Sequence, residues 1–570
     1  MRETRSPSQV LFSLLPQQTV DIGGRIWRVD EWVHPVTIPV DVEGLRNRLI
    51  AAVDPWRKNN TDENLTRLLY SGSSVEAVGV NKSQGVKVSL WPNNWVCRRC
   101  RRISKRRQRC RCGIDDWGQL HFVAFHDCGY SDEPWIAPCR EHNELVVNSP
   151  QSSSVRDLIF SCPICKTILA RGFGGGRPCR ACQQPGLNFN VHRAASVYTP
   201  HSLTMINPAR PEHLRELLLN GGRAKCLHWV LAGMPTPRPQ ALPPTRRSLI
   251  ESLMAQGLSE SVANAAADEA ERAGELTSGG GEPPLPAEVA EDAEASALEV
   301  ALATYEGRRS GRKLAEEPVS EELGKLYRSD YQSAIASAGL RDVDHVDRFP
   351  ILRGVFGFSR GGGSAGEKRL VSFRGKDSTI RVYADANETE AFYLSLDPVK
   401  VAQWLKGRGL IAYAPNQPRD ARVAILKQIS IPARGDEIAV ETAGSAVLTL
   451  VHSYTHRLIR QLAVLAGVDR ESLAEYLVPH HLGAFVYATP RGEFVLGGLQ
   501  SVFETDLHRL LEQQVDAESR CPLDPGCDRS SGACLACLHI GEPSCTHYNR
   551  FLDRKTLFGD LGFFSKDLRE

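Results

Sequence analysis

The sequence predicts a multidomain α+β protein with N-terminal zinc-ribbon modules, a helical insertion and a C-terminal mixed α/β domain carrying a Cys-rich metal site. Three observations predict it. The chain has 570 residues, more than a single hydrophobic core usually organises. Nearly all of its sixteen cysteines fall into clusters at metal-ligand spacing. Strand-like alternation early and late in the chain is separated by Ala- and Glu-rich helical sequence.

Composition narrows the class. Hydrophobic residues at 42% and charged residues at 24% are ordinary for a soluble protein. The net charge of +2 hides a local concentration of basic residues. No segment approaches the roughly 18 apolar residues of a membrane span, and the short Val10 to Leu15 run is broken by Pro16. A cytoplasmic protein without membrane contact is expected.

Five segments follow in order. Residues 1–90 read as a small α/β segment, with a hairpin from Gln18 to Trp32 turning at Gly23-Gly24. Residues 91–204 hold three cysteine clusters between short strand-like runs such as His121 to Phe125, where metal would replace a core too small to stand alone. Residues 205–335 form a Pro-rich and helical linker or insertion. Within it, Ser248 to Gly257, Ser259 to Gly274 and Ala287 to Arg308 read as helices, Thr277 to Pro286 as a flexible linker, and the helices as a solvated spacer. Residues 336–440 are strand-rich, with alternation over Ile380 to Tyr383 and Ala391 to Leu396 and a helix over Val399 to Leu405. Residues 441–570 open with the strongest helix, Ser445 to Gly467, whose Leu450, Tyr454, Leu458, Leu462 and Leu465 recur at helical spacing and whose Gly467 suits the left-handed stop. Ala484 to Tyr487 and Phe494 to Leu496 then read as strands.

The cysteines carry the chemistry. Cys162-Pro-Ile-Cys165 and Cys179-Arg-Ala-Cys182 are two knuckles spaced to close around one zinc, each giving two thiolates. A disulfide reading is disfavoured in a reducing compartment. Cys97, Cys100, Cys110 and Cys112 form a second set. His126, Cys128, Cys139 and His142 form a third, less diagnostic set. Cys521, Cys527, Cys534, Cys537 and Cys545 form a fourth, with Cys521 or Cys545 surplus to a tetrahedron. Two to four structural zinc ions are expected, and Cys226 reads as a buried small hydrophobe.

Nine of the fourteen residues from Arg98 to Arg111 are basic: Arg98, Arg99, Arg101, Arg102, Lys105, Arg106, Arg107, Arg109 and Arg111. Trp91, Trp95 and Trp117 flank them. Cations held together by metal ligands favour a polyanion, and nearby rings suit base stacking, so DNA contact is expected.

Other motifs point away from catalysis. His452 and His456 share one helical face, but Ser453 stands where a metalloprotease carries its glutamate, so both read as structural histidines. The Gly361 to Lys368 stretch imitates a phosphate loop but has Glu367 between Gly366 and Lys368, so it reads as a hairpin tip. No Walker-type loop, nucleophile elbow or strong carboxylate pair stands out. A non-enzyme is expected.

Several stretches together resemble one family. They are Ser6-Pro-Ser-Gln9, Phe349-Pro-Ile-Leu-Arg353 running on to Gly357-Phe-Ser-Arg360, and Phe392-Tyr-Leu-Ser-Leu396 through Trp404. They continue with His452-Ser-Tyr-Thr-His456-Arg-Leu-Ile459, Gly497-Gly-Leu499, Gly532-Ala-Cys534-Leu-Ala-Cys537-Leu538, Ser544-Cys545 and Asn549-Arg-Phe-Leu-Asp553-Arg554. The chain resembles the DrmB components of DISARM anti-phage defence systems, which share a C-terminal domain of unknown function with some superfamily 2 helicases. It departs from that pattern at Cys128-Gly-Tyr130 and Ile540-Gly-Glu542. The resemblance implies an accessory subunit of a bacterial defence complex that binds a superfamily 2 helicase-like, DrmA-type partner and helps it engage DNA. Two rival functions remain from the residues themselves. One is a metal-dependent nuclease or hydrolase centred on His452, His456 and C-terminal thiolates. The other is a protein scaffold without DNA contact.

Overall fold

A computed structural model describes residues 6–105, 107–148, 154–174, 178–208, 210–219, 221–240, 246–272, 285–316, 318, 320–363, 366–489, 497–515, 521–529, 532–541 and 544–565. Arg106, most of the Thr277 to Pro286 stretch, and the strand expected over Phe494 to Leu496 lie outside the described residues. The chain is mixed α+β and divides into two compact units. The first takes Met1–Met205, Leu352–Ala386 and Ala433–Gly435; the second takes Ile206–Ile351, Asn387–Pro432 and Asp436–Glu570. No described helix is long and apolar enough to cross a membrane.

In the first unit, Ser6 caps the Pro7–Ser13 helix in a reciprocal box with Gln9. Strands Thr19–Ile22 and Arg25–Trp32 form the expected hairpin, Ile22 facing Arg25. The two-residue turn needs positive φ at both positions, which Gly23 and Gly24 supply at +57° and +70°. Helix Val42–Asn59 buries Leu45, Leu49, Val53 and Trp56 against Leu203, Met205, Phe356, Ile380 and Val382. Between the hairpin and that core's later strands, residues 91–198 hold three small three-stranded sheets. Their common apolar centre is modest: Leu120, Phe122, Val147, Leu158, Phe160 and Phe173. A cluster of that size needs reinforcement from another source.

The second unit is built on helix Ala443–Leu465. Thr442 and Ser445 form its capping box, and Gly467 ends it at φ +66°. Leu450, Tyr454, Leu458 and Leu462 are buried, as their spacing predicts. Strands Leu473–Val478 and Gly483–Ala488 pair antiparallel, Leu473 facing Ala488, and the second pairs with the end of strand Ile380–Leu396. The two alternating stretches after Ile380 are thus one strand.

Helix Ala287–Ala303 corrects the spacer reading. Ala293, Ala297, Val300 and Ala301 are buried with Cys226, Trp229 and Val230 of helix Gly222–Leu231. His481 Nε2 donates to the Ala293 carbonyl at 2.8 Å. Alanine permits this close helix approach, so a composition that resembles a solvated spacer serves as core. Helices Arg246–Ala255 and Glu260–Arg272 expose more of their residues, with Ala263 and Ala267 buried.

Candidate metal centres

One turn recurs four times in the first unit. Cys97, Cys139, Cys162 and Cys179 each accept, at their carbonyl, the amide four residues on: Arg101 at 2.9 Å, Asn143 at 2.8 Å, Lys166 at 3.0 Å and Gln183 at 2.9 Å. Each cysteine amide donates to the carbonyl five residues on, at 2.8–3.1 Å, in Arg102, Glu144, Thr167 and Gln184. Arg101, Asn143, Lys166 and Gln183 all take left-handed φ, from +52° to +65°. This backbone folds the first and fourth side chains of each turn to one side as paired ligands. Cys110-Arg-Cys112 and His126-Asp-Cys128 make shorter turns that end on Gly113 and Gly129, at φ +87° and +90°. A Cβ on Gly129 would lie 2.5 Å from Val371 Cγ2, so only glycine fits there.

Strand register decides which pairs meet. Strand Trp95–Cys97 pairs with Trp117–Gln119, Cys97 facing Trp117, which brings Cys97 and Cys100 to Cys110 and Cys112. Strand Phe122–Phe125 pairs with Asn188–Val191, Phe125 facing Asn188. The turn after the first strand and the knuckle before the second therefore meet, grouping His126 and Cys128 with Cys179 and Cys182. Strand Val146–Asn148 pairs with Ile159–Ser161, Val146 facing Ser161. Cys139 and His142 thereby join Cys162 and Cys165. The pairing is nested. It corrects the sequence-based grouping of Cys162 and Cys165 with Cys179 and Cys182, and of His126 and Cys128 with Cys139 and His142.

The spacings suit tetrahedral zinc. Bonds of about 2.3 Å to sulfur and 2.0 Å to nitrogen give S–S edges of about 3.8 Å and S–N edges of about 3.5 Å. Observed S–S distances are 3.6 Å for Cys97–Cys112, 3.4 Å for Cys100–Cys110, 3.7 Å for Cys128–Cys179 and 3.8 Å for Cys139–Cys165. His126 Nδ1 lies 3.5 Å from Cys182 Sγ, and His142 Nδ1 lies 3.6 Å from both Cys139 and Cys162 Sγ. All sixteen cysteines are free thiols, and these sulfurs stand far beyond the roughly 2.05 Å of a disulfide. Burial alone raises the Cys100 thiol, but the Arg102 amide and guanidinium and neighbouring thiols hold it down at about 6, favouring thiolate.

Two further groups lie in the second unit. Cys521, Cys527, Cys534 and Cys537 form an all-thiol set, with Sγ distances of 3.5 Å for Cys521–Cys534 and 3.7 Å for Cys527–Cys537 and Cys534–Cys537. Arg460, from the long helix, donates to the carbonyls of Leu535, Ala536 and His539 at 3.1, 2.8 and 3.2 Å, and so fixes the knuckle. Arg554 makes a bidentate pair with Asp524 at 2.9 and 3.0 Å. Cys545 is the cysteine left out. It joins His452, His456 and Glu475 in a fully buried group. The histidine pair thus shares its buried site with a carboxyl and a thiol. Glu475 had no local signal: it lies on the strand after the helix, whereas a glutamate beside His452 was the residue sought.

The basic segment emerges from the Cys97 centre. Arg98, Arg99, Arg101, Lys105, Arg107, Arg109 and Arg111 are exposed, and Arg102 is half-buried. Glu144 holds Arg102 at 2.8 Å and Arg111 at 2.6 Å, and Asp116 lies 3.7 Å from Arg98. The flanking tryptophans correct the stacking expectation. Trp91, Trp95 and Trp117 are 7%, 4% and 8% exposed, and the last two pack on Cys97 and Cys110. Their apolar rings complete the small core around the ligands and are not presented to bases.

Residues 6–199, which contain all three N-terminal ligand groups, match a family described as Domain of unknown function (DUF8724). The chain is also similar in part to a defence protein. It is 26% identical over 181 residues to the DISARM protein DrmB of Bacillus paralicheniformis, a stretch covering 30% of this chain and 31% of that protein. The match thus spans under a third of the relative's length.

Proposed function

We propose that this chain is a non-ATPase accessory subunit of a bacterial DISARM-type anti-phage complex. In this reading it binds a superfamily 2 helicase-like, DrmA-type partner and helps it engage DNA. The partial similarity to DrmB supports the defence setting. The observation that carries the DNA contact is the set of exposed cations on a ligand-braced loop: Arg98, Arg99, Arg101, Lys105, Arg107, Arg109 and Arg111. The lack of a Walker-type loop agrees with a partner that hydrolyses ATP.

The mechanism is positioning. Metal in the three N-terminal groups stiffens a region with little apolar core and holds the loop's cations close together. Phosphates then replace condensed counterions, and binding falls with salt. Because the tryptophans are buried, ring stacking on bases does not contribute, and the loop's cations act through phosphate contacts.

Charge reversal of Arg99, Arg107 and Arg109 to Glu tests this, leaving the Glu144-paired arginines intact. A titration of DNA at two salt concentrations reads it. Each lost phosphate contact lowers the log–log salt slope by about 0.9, so the triple variant should lose roughly 2–3 units of slope and bind far more weakly at low salt. Unchanged affinity and slope contradict the role of the loop and favour a scaffold whose partner touches DNA.

A further inference from the structure

His452 and His456 lie one turn apart on helix Ala443–Leu465, Glu475 lies on strand Leu473–Val478, and Cys545 follows Ser544 in a C-terminal turn. The side chains of both histidines and Glu475 are wholly buried, and Cys545 is 5% exposed. We propose that these four residues hold one divalent transition-metal ion, zinc by donor chemistry, in a closed centre that latches the Cys545 turn to the long helix. This inference is independent of the DNA reading.

Hydrogen bonding sets the tautomers. Carbonyl oxygens only accept, so His452 Nδ1 donates to Phe551 O at 3.2 Å and His456 Nδ1 donates to Leu538 O at 2.9 Å. Each ring then turns its Nε2 inward, and the two Nε2 atoms are 2.9 Å apart. Glu475 Oε1 is 3.1 Å from His452 Nε2, and Oε2 is 3.3 Å from His456 Nε2. Cys545 Sγ is 3.3 Å from His452 Nε2. Four acceptor atoms thus converge where water does not reach, an arrangement that is costly without a cation.

A proton shared between the rings would relieve only part of this. Glu475 Oε2 is buried with no hydrogen-bond partner. Cys545 Sγ accepts the Asn549 amide at 3.1 Å, and Glu475 Oε1 accepts the Thr546 amide at 3.1 Å. These amides fix the Cys545 sulfur and the Glu475 carboxyl in place beside the two imidazoles. The carbonyls on both Nδ1 atoms are the outer shell that fixes imidazole ligands. Two imidazoles, a carboxylate and a thiolate complete a tetrahedron. A hydrolytic centre keeps a position open to water, and burial closes this one, so the role is structural.

Anomalous diffraction at the zinc edge from the full wild-type chain tests the site without any variant. The expected result is a peak among His452 Nε2, His456 Nε2, Glu475 and Cys545 Sγ, separate from the Cys521–Cys537 peak and with no water ligand. Native mass spectrometry should also show one ion fewer in Cys545→Ala, and a different one lost in Cys534→Ser so that the double variant loses two. A peak at the four-cysteine centre alone, an undiminished count in Cys545→Ala, or a bound water on the ion overturns the proposal.

Discussion

Arg360 shows what a single residue does in the first unit. It is 1% exposed, and its guanidinium donates to the carbonyls of Gly129 at 2.9 Å, Gln17 at 3.4 Å and Val197. It thereby fixes the glycine turn that presents His126 and Cys128. Arg360 serves these carbonyls from Nε, Nη1 and Nη2, and lysine, whose three donors sit on a single nitrogen, cannot occupy those three positions. Arg360→Lys should destabilise the protein by about 2 kcal/mol or more, read from denaturant midpoints, because hydrogen bonds to a charged group contribute about 1.5–3 kcal/mol each. A midpoint unchanged from wild type contradicts that role. In the sequence, Gly357 to Arg360 stands out only as part of a resemblance. The reason for the arginine appears once Gln17, Gly129 and Val197 are brought together from distant positions.

At the scale of elements, local signals were legible and long-range pairing was not. The Gly23-Gly24 turn, the capped Ala443–Leu465 helix and the knuckle spacings all act within a few residues, and each was readable. The nested ligand pairing depends on which strands share a ladder, and nothing local encodes that Phe125 faces Asn188. The sequence of helix Ala287–Ala303 is ambiguous because alanine is common both in spacers and at close helix contacts. Glu475 and Cys545 likewise meet the histidines only in three dimensions. The nesting has a direct test. In Cys182→Ser, alkylation followed by peptide mapping should find Cys128 and Cys179 newly reactive, with Cys139, Cys162 and Cys165 still protected. Newly reactive Cys162 and Cys165, with Cys128 protected, is the outcome of sequential pairing and contradicts the nesting.

Across the whole molecule, ligand groups stand where apolar burial is thin or segments are short. Among the described residues, the first unit places three in residues 97–182, around a small core, and the second places two where the C-terminal turns meet the long helix. Metal bound at these groups would contribute folding free energy, so chelation should unfold the C-terminal turns and the Cys97 loop before the core around Leu450 and Phe485. The most direct measurement is the metal count of the intact, zinc-supplied chain by native mass spectrometry with elemental analysis. Five zinc ions per chain is the expected result, one for each ligand group; a lower count, or iron in place of zinc, contradicts the account.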